Sequence, residues 1–226
     1  TVPEKTVVIP LLNGIPFWYP ELFDIDPEVM GLIDADRKIL NELNRQGALL
    51  IGSIVDVAGV KIGPGEVEGH PAINENGDFV HGNIHLGPID PLNEHVATIC
   101  AELIELFQVR CGMPTNHLKN KEVLLRQFWV KIAGNIAANY GAAMYDKHLP
   151  ELFTDPELGP YLKDTIEEAL RVGLHHGLPA KFEKLVPKLT SMVVKAKVSL
   201  NGHYTSTHAA FENGDPDCEM SVILKP

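Results

Sequence analysis

The chain has 226 residues, of which 45% are hydrophobic and 22% charged, a composition typical of a globular protein with one large or two small cores. Its formal net charge of -11 gives no general electrostatic reason to bind nucleic acid or an anionic membrane. Three widely spaced cysteines (Cys100, Cys111 and Cys218) predict free thiols, and no apolar stretch is long enough for a transmembrane helix. We recognise no secretory signal.

The first elements predict a parallel β-sheet. Residues 6–12 form an apolar run rich in β-branched side chains that stops at Asn13-Gly14, a turn signal, so we expect a strand buried on both faces. The following loop, residues 15–20, places three aromatic residues between prolines, which either anchor the loop or line a site. A helix is predicted over residues 34–46, with Gly47 as its stop.

The middle of the chain predicts antiparallel strands followed by one helix. Strand-like runs cover residues 49–57, 60–62 and about 83–86, within a tract rich in glycine and proline that predicts long loops. A helix follows over residues 91–107. Its predicted apolar stripe consists of Ile99, Leu103, Leu106 and Phe107.

Near residues 113–115 the pattern becomes helical. Residues 120–145 contain no proline and keep a long helical periodicity, and a second helix is predicted over 155–176. Asp155 is expected to cap that helix and Pro156 to occupy its first position. A third helix is predicted over 182–195. The fold class is therefore α/β, with a mixed region followed by a mostly helical one.

Several familiar motifs are excluded. Gly63-Pro64-Gly65 has the wrong spacing for a dinucleotide-binding turn, and Pro64 lacks the N–H that such a turn needs. His81 and His85 are four residues apart, but their context is a strand, so they do not predict a helical metal pair. No group of His, Cys, Asp and Glu has ligand spacing, and we expect no metal site.

A polar stripe on the long helix carries the chemical signal. Lys131, Asn135 and Asn139 recur every four residues and therefore share one face of the helix. Asparagine is unfavourable inside helices because its amide competes for backbone hydrogen bonds. The stripe is either a solvated face or a set of amide and ammonium groups that binds a carbonyl and hydroxyls.

The same stretch resembles a known family. Trp129-Val130-Lys131, followed by Asn135 and Asn139, is similar to the W-x-K-x-x-x-N-x-x-x-N helix of ketopantoate reductases (2-dehydropantoate 2-reductases). Segments 8–15, 82–90 and 206–214 resemble, in the same order, the family's Asn-Gly strand end, its glycine-bounded β segment and its serine loop.

This resemblance implies a two-domain enzyme that reduces a 2-oxo acid with NADPH. Residues 1–117 would be the remainder of a Rossmann-type NAD(P)-binding domain, and residues 118–226 a helical substrate and dimerisation domain. Lys131 would be the general acid and Glu219 a second catalytic residue. Asn135, Asn139 and Ser206 would bind substrate, and Asn13 would lie beside the cofactor.

The sequence also departs from the family pattern. Ala210 stands where the serine loop has an aspartate, and one extra residue precedes Glu219. The first strand and the glycine-rich turn of the nucleotide domain are missing from this sequence, so we expect it to be part of a longer polypeptide. These departures leave the 2-oxo acid open.

Two alternatives remain beside ketopantoate reduction in pantothenate biosynthesis. One is a related 2-oxo acid or opine-type dehydrogenase. The other is a truncated, non-catalytic helical dimerisation module. We expect a small-molecule substrate, a cytoplasmic location, no nucleic-acid or membrane partner, and helix faces that could form a homodimer.

Overall fold

The computed structural model describes residues 6–12, 15–19, 34, 37–56, 59–69, 72–73, 79–80, 82–90, 93–200, 205–212 and 214. Contacts divide the chain into two units. The first comprises residues 1–56, 82–128 and 176–178, and the second comprises residues 57–81, 129–175 and 179–226. The domain boundary predicted between residues 117 and 118 stays a prediction.

The described residues contain both strands and helices, which confirms the α/β class. The strands are β1 Val7–Val8, β2 Leu49–Asp56, β3 Gly59–Gly63, β4 Glu66–Gly69, β5 Ala72–Ile73, β6 Phe79–Val80, β7 Asn83–Pro88 and β8 Thr115–His117. The α-helices are α1 Lys38–Arg45, α2 Glu94–Glu105, α3 Lys121–Tyr145, α4 Leu149–Thr154, α5 Leu158–His175, α6 Val186–Val198 and α7 Ser206–Glu212. A π-helical turn, Leu106–Arg110, extends α2, and a 3-10 helix, Ala180–Leu185, precedes α6.

The first unit is built on a four-stranded sheet in the order β1-β2-β7-β8. The β1–β2 and β7–β8 pairs are parallel, and the β2–β7 pair is antiparallel. The parallel pairing of β1 is as predicted, but the strand spans two residues and both are half-buried. The expectation of a strand over 6–12 buried on both faces was therefore wrong.

Helix α2 covers this sheet. The shared core consists of Ile51, Ile84, Leu86, Val96, Cys100 and Ile104. Burial raises the pKa of the Cys100 thiol to about 11, so the group stays protonated. The predicted apolar stripe was placed slightly wrong, since Leu106 is 46% exposed and the fully buried face runs through Val96 and Cys100.

Helix α1 begins later than predicted, at Lys38 and not at residue 34. The Asp34 carboxylate accepts hydrogen bonds from the backbone N–H groups of Ile39 and Leu40, each at 3.1 Å. Asp34 therefore satisfies donors of the first turn from outside the helix. Gly47 follows the helix at φ 66°, as the stop signal predicted.

The aromatic loop after β1 is anchored by side-chain packing in the first unit. Trp18 and Tyr19 are buried, and the centroids of their rings lie 6.3 Å and 5.0 Å from that of Phe128. The hydroxyl of Tyr19 donates to the carbonyl oxygen of His176. The sequence left two roles open for this loop, anchoring and lining a site, and these contacts support anchoring.

In the second unit, two antiparallel hairpins, β3–β4 and β5–β6, agree with the predicted antiparallel structure. Gly63-Pro64-Gly65 is the turn of the first hairpin, which explains its misleading likeness to a phosphate-binding loop. Helices α4, α5 and α6 pack against one another. None of the helices in the described ranges is long and apolar enough to cross a membrane.

The predicted cap of α5 is confirmed. Asp155 Oδ1 accepts from the backbone N–H groups of Glu157 at 3.0 Å and Leu158 at 3.1 Å. The carboxylate also accepts from the Lys147 ammonium. Lys147 first, and then these backbone donors, lower the pKa of Asp155 to about 2.

Gly87 marks the tightest backbone approach in the sheet. A Cβ at this position would lie 2.6 Å from the carbonyl oxygen of Leu118, whereas one at its cross-strand partner Gly52 would lie 3.1 Å from the end of the Leu124 side chain. Gly87→Ala should therefore lower the free energy of unfolding by about 1–3 kcal/mol, as overpacking does. Gly52→Ala, the matched control, should cost less because its nearest contact is a leucine side chain that can move, and its nearest backbone atom, the Gly87 carbonyl oxygen, is farther away at 3.3 Å. Equal losses in urea denaturation would contradict this account of the β7–β8 packing.

Candidate active site

Helix α3 carries three of the predicted functional residues, and residues close in sequence determine where it begins and ends. The backbone N–H of Val123 donates to Asn120 Oδ1 at 3.0 Å, and Glu122 places a negative charge in the first turn. The helix ends at Tyr145, after which Asp146 takes a left-handed conformation with φ 49°. The predicted helix over residues 120–145 is therefore confirmed.

Lys131, Asn135 and Asn139 lie on one face of this helix. Each four-residue step rises about 6 Å and turns about 40°, so the stripe is about 12 Å long. Lys131 and Asn135 are half-buried, and Asn139 is 8% exposed. The solvent exposure of these side chains therefore decreases along α3 toward Asn139.

Neither amide of this stripe is used by the fold. Among the described residues, the side chains of Asn135 and Asn139 make no hydrogen bond. Asn93 and Asn120, by contrast, accept hydrogen bonds that cap helices. Neither amide is among the described buried polar atoms that lack a hydrogen-bond partner, so both amides can still reach solvent or a ligand. Two in one stripe are typical of a surface that binds a polar ligand.

Other faces of α3 hold the helix in place. A Cβ at Gly134 would lie 3.1 Å from Val193 of α6, and one at Gly141 would lie 2.7 Å from Leu152 of α4. Gly134 directly precedes Asn135, so it points about 100° away around the helix. The close packing at these glycines therefore does not use the polar stripe.

A second polar cluster, in the first unit, was missed by the sequence reasoning. His85 Nε2 lies 3.0 Å from Asp56 Oδ2, and the side chains of Asn116 and Gln127 each approach the ring to 3.5 Å. His85 was weighed only as a metal ligand beside His81. Two features of the sequence could have indicated this cluster. His85 is a polar residue within the strand β7, and Gln127 lies four residues before Lys131 on the same helix.

The three remaining predicted residues are not tested. Ser206 is the first residue of α7, and nothing is described of its side chain. Asn13 and Glu219 lie outside the described residues. Of the predicted site, the structure therefore brings together Lys131, Asn135 and Asn139.

The described residues do not fit the phosphates of a dinucleotide. Such a site needs a glycine-rich turn that leads from a parallel strand into a helix N-terminus. Within the described ranges no strand continues through such a turn, and Gly63–Gly65 belongs to a hairpin.

Among known proteins, solved structures share the fold of this chain. No family model matches the chain, and no curated protein matches it. A solved structure assigned as a ketopantoate reductase from Ralstonia solanacearum MolK2 superposes with a TM-score of 0.63 at 17% identity, over 91% of this chain and 56% of that one. The 2-dehydropantoate 2-reductase from Methylococcus capsulatus gives 0.57 at 21% identity, over 97% and 57%.

A third solved structure agrees. The PanE/ApbA family ketopantoate reductase from Ralstonia eutropha JMP134 gives a TM-score of 0.57 at 18% identity, over 96% of this chain and 58% of that one. The chain thus spans a little more than half the length of these proteins.

Removing the Asn139 amide tests whether the fold uses it. Asn139→Leu should leave the free energy of unfolding unchanged or raise it, because no hydrogen bond is lost and apolar surface is gained. Asn93→Leu is the matched control, since Asn93 Oδ1 accepts from the Val96 N–H at 3.2 Å, and should cost about 1 kcal/mol. A loss above about 2 kcal/mol in Asn139→Leu, measured by urea denaturation, would show that the amide is structural.

The resemblance seen in the sequence is thus confirmed at the level of the fold: over nearly its whole length, this chain has the fold of the ketopantoate reductases.

Proposed function

We propose that this chain is the substrate-binding part of an NADPH-dependent reductase of 2-oxo acids, with 2-dehydropantoate as the substrate and pantoate as the product. The reaction would belong to pantothenate and coenzyme A biosynthesis and would take place in the cytoplasm. The fold shared with ketopantoate reductases supports the reaction class. The observation that carries the proposal is the stripe on α3, with two amides that the described fold leaves without partners.

The stripe suits the oxygens of a 2-oxo acid. Such a substrate presents a ketone oxygen and a carboxylate, and 2-dehydropantoate adds a hydroxyl. The amides of Asn135 and Asn139 can each donate to and accept from such oxygens. Because the chain has a formal net charge of -11, an anionic substrate needs a local positive group, and Lys131 supplies one.

Lys131 acts as the general acid in this proposal. Its ammonium group polarises the ketone and stabilises the negative charge that develops on the ketone oxygen. It then gives a proton to that oxygen, which completes the alcohol. A nicotinamide cofactor, held outside the described residues, would supply the hydride for the carbonyl carbon.

The other predicted residues complete the proposal. Ser206 would donate to the substrate carboxylate, and Glu219 would accept from a substrate hydroxyl and orient Lys131. Asn13 would lie between cofactor and substrate. A homodimer formed through the helical domain belongs to the same proposal. Ala210, which replaces an aspartate of the family pattern, is the reason to test other 2-oxo acids as well.

The test is NADPH oxidation by the natural protein that contains this chain. Lys131→Ala should lower kcat by about 10²- to 10⁴-fold, the usual effect of losing a general acid or an electrostatic stabiliser. NADPH affinity should be unchanged. Lys121→Ala, an exposed lysine on the same helix, is the matched control and should keep full activity.

Three outcomes would contradict parts of this proposal. Near-normal turnover by Lys131→Ala removes Lys131 from the mechanism. Turnover of other 2-oxo acids but not of 2-dehydropantoate keeps the reaction class and replaces the substrate. Binding of neither NADPH nor any 2-oxo acid by the natural protein rejects the reductase and favours the non-catalytic helical module.

A further inference from the structure

Three side chains able to ligate a metal meet in the second unit, away from the α3 stripe in sequence. They are Asp146, His208 and Glu212, and one ligand atom from each lies within 4.8 Å of the others. Asp146 directly follows α3, while the other two lie on α7. Long-range folding brings these two segments together, since 61 residues separate Asp146 and His208 in the sequence.

Helix α7 aims two of these side chains the same way. His208 and Glu212 are four residues apart and therefore share one helix face. Thr205 Oγ1 accepts from the backbone N–H of His208 at 3.2 Å and so supports the first turn of α7. The spacing is that of a helical chelating pair, which the sequence reasoning did not recognise because it had not assigned a helix to this segment.

The histidine is enclosed, whereas the carboxylates are accessible. The side chain of His208 is 1% exposed, and those of Asp146 and Glu212 are 79% and 59% exposed. His208 Nε2 lies 3.0 Å from Asp146 Oδ1, and His208 Nδ1 lies 3.9 Å from Glu212 Oε2. A nearly inaccessible imidazole is thus fixed in position between two carboxylates that can still move.

Asp146 stands at an unfavourable place for an acidic residue. It follows the C-terminus of α3, where the helix dipole is negative, and it has a φ of 49°. The negative charge beside the helix C-terminus costs free energy unless a positive group lies nearby, whereas the left-handed backbone is one that aspartate adopts more readily than most residues. A cation at this cluster would offset the cost.

We propose that Asp146, His208 and Glu212 bind a divalent transition-metal ion of the zinc class, which ties α7 to the end of α3. Imidazole nitrogens and carboxylate oxygens are both ligands that such ions take in proteins. One ion can bind only one nitrogen of the imidazole, whereas Asp146 faces Nε2 and Glu212 faces Nδ1. One ligand atom from each residue lies within 4.8 Å of the others, and ligands about 2.1 Å from one ion lie roughly 3–4 Å apart. Binding therefore requires an exposed carboxylate to move toward the nitrogen that holds the ion. Three protein ligands leave a coordination position for water.

The experiment is a titration of the chelator-treated full chain with Zn²⁺ by calorimetry, and with Co²⁺ by visible absorption. The wild type should bind one ion per chain at this site. Asp146→Asn and Glu212→Gln should each weaken that binding at least tenfold. Both side chains are exposed, so the variants should fold, which circular dichroism checks; His208 is left unchanged because it is buried.

A matched pair of variants controls for charge. Asp164→Asn and Glu168→Gln remove exposed carboxylates that are also four residues apart, on α5, and should leave binding unchanged. Absence of tight Zn²⁺ binding in the wild type would overturn the proposal. Equal binding by wild type and both site variants would also overturn it, because the ion would then bind to other histidines. The readout is metal binding, so neither result depends on reductase activity.

Discussion

An asparagine in the middle of a helix weakens the helix, because its amide competes for backbone hydrogen bonds, and the interpretation of α3 depends on this constraint. Asn139 is 8% exposed, and neither it nor Asn135 has a side-chain hydrogen bond among the described residues. The helix is held by close packing at Gly134 and Gly141, which leaves the amides free of a structural task. Polar groups kept at such a cost are usually kept for a ligand.

The ligand that we propose for this face has several oxygens and a negative charge. Lys131 precedes the two amides on the same face, so one ammonium and two amides are spread over about 12 Å. The solved ketopantoate reductases that share this fold are longer, and the chain spans 56% and 57% of the two compared.

Local signals predicted much of this structure. The capping carboxylate Asp155 and the proline-free run of α3 were readable because each depends on residues close in sequence. The start of α1 was misplaced because Asp34 caps the helix from a distance of several residues. The clusters around His85 and His208 were missed because their partners, Asp56 and Asp146, are brought close only by tertiary folding.

The most direct test of the central claim is to observe the side-chain amides themselves. In nuclear magnetic resonance spectra of the natural protein, the side-chain NH₂ signals of Asn135 and Asn139 should shift when 2-dehydropantoate is added. The capping amides of Asn93 and Asn120 should not. Saturating ligand that moves other signals but leaves Asn135 and Asn139 unchanged would show that the stripe on α3 does not bind the substrate.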